Sequence, residues 1–73
     1  MKIFDSYNVM VQSLYNHANG MIAKHQLNAE VLMTNPSGVA DHPDILETVG
    51  KELDSIAKYQ ARLDILNQYF NPK

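Results

Sequence analysis

The chain has one place where no helix can pass. Asn35-Pro36-Ser37-Gly38, followed closely by Asp41-His42-Pro43-Asp44, sets two prolines and a glycine within a few positions of one another. Proline lacks the backbone donor and clashes with the preceding turn, and glycine gives up backbone entropy in a helix. The break therefore falls between about Thr34 and Asp41 and leaves a segment of similar length on each side. Both segments repeat apolar residues at three- and four-residue steps, the helical period. No internal repeat, low-complexity stretch or second linker is visible. The expected fold is all-α: a single domain over 1–73, with a helix at about 4–33, a loop at about 34–41 and a helix at about 42–70.

The second segment has the clearer pattern. Pro43 suits the first turn, where its missing N–H is no loss, with Asp41 or His42 as N-cap. Asp44 and Glu47 then set negative charge near the positive end of the helix dipole. Ile45, Leu46, Val49, Leu53, Ile56, Leu63, Leu66 and Phe70 form one apolar stripe. Glu47 with Lys51 and Asp54 with Lys58 make favourable i,i+4 pairs on the outer face. Asn71-Pro72 ends the helix.

In the first segment the stripe is Phe4, Tyr7, Val11, Leu14, Tyr15, Ala18, Met21, Ile22, His25, Ala29 and Leu32. Asn19-Gly20 is a turn dipeptide, yet the stripe keeps its phase across it and Gly20 falls on the polar face. One continuous helix is expected, with two shorter ones as the alternative. Two such helices joined by a short loop pack antiparallel, as a hairpin of roughly 40–45 Å per arm.

A hairpin of 73 residues has a thin core, and short chains of this kind lean on disulfides, metals or oligomerisation. The chain has no cysteine, which removes disulfides and thiolate zinc sites. At 45% hydrophobic it is too apolar for a disordered tail. Near the loop, Leu27, Val31, Leu32 and Met33 point almost all round the helix, and Tyr7, Tyr15, Tyr59, Tyr69, Phe4 and Phe70 are expected together at the open end. Apolar surface of this kind marks a protein interface, so Leu27, Val31, Leu32, Met33, Tyr7, Tyr15, Tyr69 and Phe70 are the interface candidates. The simplest cover is a homodimer making a four-helix bundle; a different protein partner is the other.

Charge narrows the partners. Six Lys+Arg against eight Asp+Glu give a formal net charge of −2, without the cationic footprint of a general nucleic-acid binder. No apolar run approaches the ~20 residues of a membrane span, and the start has no sustained apolar stretch for a signal peptide, so a cytoplasmic protein is expected.

Little in the chain carries chemistry. His17 and His25 are eight residues apart, roughly 12 Å along a helix, too far to share one metal. The Glu-x-x-His spacing of di-metal bundles is absent, and no serine has a nucleophile's context. No catalytic, cofactor-binding or metal residues are assigned, and no cofactor is expected. With Thr34 opposite about His42, His25 comes level with Lys51 or Glu52, and Gln60 with Asn16 or His17. A buried histidine needs a partner, and Glu52 falls on the inward side, so His25–Glu52 is the expected buried polar pair.

The stretch from Glu30 to Asp44, with Asn35-Pro36-Ser37-Gly38 and Asp41-His42-Pro43-Asp44 at its centre, is similar to the turn of small helical proteins encoded by tailed phages of the T-even type. Ile56-Ala57-Lys58-Tyr59 and Leu66-Asn67-Gln68-Tyr69-Phe70 continue the likeness over about half the chain. Those proteins are of unassigned function, so the resemblance implies a viral or environmental source, a host cytoplasm, and no mechanism. The expected function is that of a non-catalytic, self-associating hairpin acting through protein–protein contacts, as an assembly factor or small modulator. A ligand or metal carrier using histidines at an oligomer core and a nucleic-acid accessory protein are the alternatives.

Overall fold

The computed structural model describes residues 5–35 and 44–71. Two helices, α1 (Ser6–Thr34) and α2 (Ile45–Tyr69), pack against each other along their length, with no strand among the described residues. They run antiparallel: Tyr7 near the start of α1 reaches Asn71 beyond the end of α2, and His25 meets Glu52 further along. The hairpin is long and thin, with the 29 residues of α1 running about 44 Å. The expected loop lies outside the described residues except for Thr34, the last residue of α1, and Asn35, its C-cap.

Each helix begins on an aspartate. Asp5 caps α1, accepting from the Asn8 backbone N–H at 3.2 Å, and Asp44 caps α2, accepting from Glu47 N–H at 2.9 Å. The second cap corrects the expected one at Asp41 or His42. Asp44 is the acid whose carboxylate reaches an orphan N–H of the first turn, so the helix opens at Ile45, and Pro43 lies outside the described residues. α1 runs through Asn19-Gly20 without interruption.

The contact between the helices is a pair of narrow seams. On α2 the seam residues, each buried or half-buried, are Ile45, Val49, Glu52, Ile56, Tyr59, Leu63 and Leu66, at alternating steps of four and three. On α1 they are Val11, Tyr15, Ala18, Ile22, His25, Ala29 and Leu32, with the same steps. This is the 3.5-residue period of coiled coils, in which two helices cover little beyond the seam itself. Ala18 is fully buried and packs with Tyr59 and Leu63, a small residue on α1 making room for larger ones on α2. The seam corrects the expected stripe. Leu46 is 86% exposed and Leu53 50%, because each stands one residue outside the seam, while Glu52 and Tyr59 occupy it.

Candidate functional site

The polar centre of the hairpin joins three side chains. His25 Nδ1 and Glu52 Oε2 lie 2.6 Å apart, and Asn28 Nδ2 donates to Glu52 Oε1 at 3.1 Å. A carboxylate offers only lone pairs, so Nδ1 carries the proton and donates. The hydrogen bond from His25 holds the Glu52 carboxyl below its ordinary range; partial burial opposes this and the Asn28 amide reinforces it. The pair is half-buried, with side chains 15% and 19% exposed, where the sequence reading expects burial. Both carboxylate oxygens are taken up inside the hairpin, so the trio ties α1 to α2 in one register, as polar residues do in coiled-coil seams.

Beside it lies an aromatic cluster on Tyr59. His25 stacks on the Tyr59 ring at 6.3 Å, and His17 meets it edge-on at 5.7 Å. Arg62 and Lys58 set their charges 5.0 and 5.2 Å from its centroid. Three expectations are corrected here. Tyr59 sits buried in the middle of the hairpin, not among the tyrosines of the open end, because its position falls on the seam. Gln60 turns outward to Asp64 and Asn16 accepts from Gln12, so neither makes the expected cross-helix contact. Lys58 covers Tyr59 and does not pair with Asp54, whereas Glu47 and Lys51 do pair, at 3.8 Å. Among the described residues no three His, Cys, Asp or Glu side chains group as metal ligands would.

Toward the open end the helices leave an apolar groove of about 660 Å³. Met10, Leu14, Ile65 and Phe70 line it, with Tyr7 at its outer end and Arg62 as the charged residue at its inner end. Of the interface candidates, Tyr7 and Phe70 belong to this groove. Tyr69 is exposed and meets Phe70 edge-on. Tyr15 is half-buried against the Ala18–Tyr59–Leu63 cluster, and its hydroxyl donates to Asn67. At the other end Leu27, Val31 and Leu32 edge a smaller hollow of about 320 Å³ with Asn28 and Glu52, and Met33 is exposed. Met10, Leu14 and Ile65 are the exposed apolar groove residues absent from the interface candidates. Counting from the seam rather than from hydropathy alone would have set them on its edge.

Among the described residues no helix is long and apolar enough to cross a membrane. No protein-family model matches the sequence, and neither a curated protein nor a solved structure matches it.

Proposed function

We propose that the chain is a non-catalytic hairpin that self-associates into a two-fold dimer, a four-helix bundle, and acts through protein–protein contacts as an assembly factor or small modulator. One observation carries the reading. Among the described residues eleven large apolar side chains stand exposed, Val9, Met10, Leu14, Leu27, Val31 and Met33 on α1 and Leu46, Leu53, Ile65, Tyr69 and Phe70 on or just beyond α2, and apolar surface left uncovered on this scale marks a protein interface. Much of the uncovered surface is large and apolar: Met10 is 61% exposed and Ile65 50%. Two-fold dimers are the commonest closed assembly, and a second hairpin has the length and seam spacing to cover a first.

Light scattering across a range of protein concentrations tests this. The expected result is a mass of twice 8.3 kDa at micromolar concentrations. A mass of one chain throughout would mean that the apolar surface serves a different protein.

A further inference from the structure

Toward the open end, the two flanks of the hairpin differ in kind. On one, the residues following Val11, Ala18 and His25 are all amides, Gln12, Asn19 and Gln26, and all are exposed. Across the seam, α2 presents Gln60 and Asn67 to the same flank, and the exposed apolar residues of this flank, Leu53, Leu46 and Met33, stand nearer the loop. On the opposite flank, the residues preceding Tyr15 and Ile22 are Leu14 and Met21, and Met10 and Ile65 join Leu14 in the groove. An apolar stripe widened on one side of a coiled-coil seam is the pattern of a helix that packs on two neighbours rather than one.

Charge separates the flanks' owners too. From Ser6 to Ala23, α1 carries no Asp, Glu, Lys or Arg, while α2 carries charges along its length. Depletion of charge marks the core of an interface more reliably than bulk hydrophobicity does. The groove keeps one charged residue, Arg62, whose guanidinium is already drawn back over Tyr59.

Resting on the self-association proposed above, we infer that a second copy seats on the groove flank, side by side and with its termini at the same end. The uncharged half of each α1 then lies against the partner copy's α2. Met10 and Leu14 meet the other copy's Ile65, and each Arg62 faces uncharged α1. The head-to-tail arrangement stacks α2 on α2 and sets the two Arg62 guanidinium groups, with Lys58 beside them, against their own kind. Like charges placed opposite one another in an interface select against that alternative.

The test uses the full chain. Ile65→Asp and Met10→Lys, on different helices, are each expected to reduce the mass to that of one chain with helicity retained by circular dichroism. Leu53→Asp, on the amide flank, is expected to leave the dimer intact. Because the chain has no cysteine, Thr34→Cys accepts a single spin label near the loop end. Side-by-side copies set the two labels about 20–25 Å apart, roughly two helix diameters. Copies overlapping groove on groove head-to-tail set them about 60 Å apart or more. A dimer that survives both groove substitutions, or that shows the long distance, overturns this arrangement and leaves self-association standing. A wild-type chain that is monomeric throughout overturns both.

Discussion

Glu52 is the residue on which pH acts most directly. Its carboxyl is held below the ordinary range by the His25 hydrogen bond, so the folded state binds that proton less readily than the unfolded state does. The stabilisation is complete above the unfolded carboxylate value of about 4.3 and is lost as pH falls through the lower folded value. Urea midpoints measured between pH 6 and pH 3 are expected to fall more steeply for wild type than for Glu52→Gln. Equal slopes would mean that the pair contributes nothing. His25→Ala removes both the donor to Glu52 and the ring stacked on Tyr59, and is expected to cost about 1 kcal/mol, given the pair's partial exposure. His17 is exposed and makes an edge contact, so His17→Ala is expected to cost less in the same titration. The reverse order would assign the register contact to the wrong histidine.

At the scale of the helix, Gly20 is a weakness with room to repair. It lies exposed inside α1, and a Cβ built there meets nothing within 4 Å. Gly20→Ala is expected to raise stability by about 0.5–1 kcal/mol in chemical denaturation, the helix-propensity difference alone. A loss would mean that the chain turns there. The helices' existence and the break between them are legible because proline, glycine and capping aspartates act locally, whatever packs against them. The contact stripe is less legible. His25, Glu52 and Tyr59 stand on the seam, while Leu46 and Leu53, more apolar than any of them, stand beside it. Hydropathy ranks these residues in the wrong order for a two-helix contact, because the 3.5-residue geometry decides coverage and polar seam residues are tolerated where they find partners. His25–Glu52 was legible from register arithmetic, which ignores hydropathy. Tyr59 was not, since the number of tyrosines near the termini drew it to the wrong end. The same distinction separates two substitutions. Leu63→Asp buries a charge in the Tyr59 cluster and is expected to abolish helicity, whereas Leu53→Asp adds a charge at a half-open position and is expected to keep it.

For the whole molecule the question is whether a hairpin this thin is folded alone. Among the described residues the buried apolar ones are few: Val11, Ala18, Ala29, Val49, Tyr59, Leu63 and Leu66, two of them alanines. A core of that size leaves a modest stability once chain entropy is met, so association is expected to add measurably to the stability of the hairpin. Such a contribution has a signature that mass measurements lack. When the folded state is a dimer and the unfolded state is two free chains, each tenfold rise in concentration adds about 1.4 kcal/mol per dimer to the folded side. The melting temperature is then expected to climb by about 3–5 °C per decade of concentration, followed by circular dichroism at the helical band. Ile65→Asp is expected to melt lower and at a temperature independent of concentration, because it retains the seam and loses the groove contact. A wild-type melting temperature that does not move with concentration would mean that the seam alone holds the hairpin and that no dimer is populated at the melting temperature.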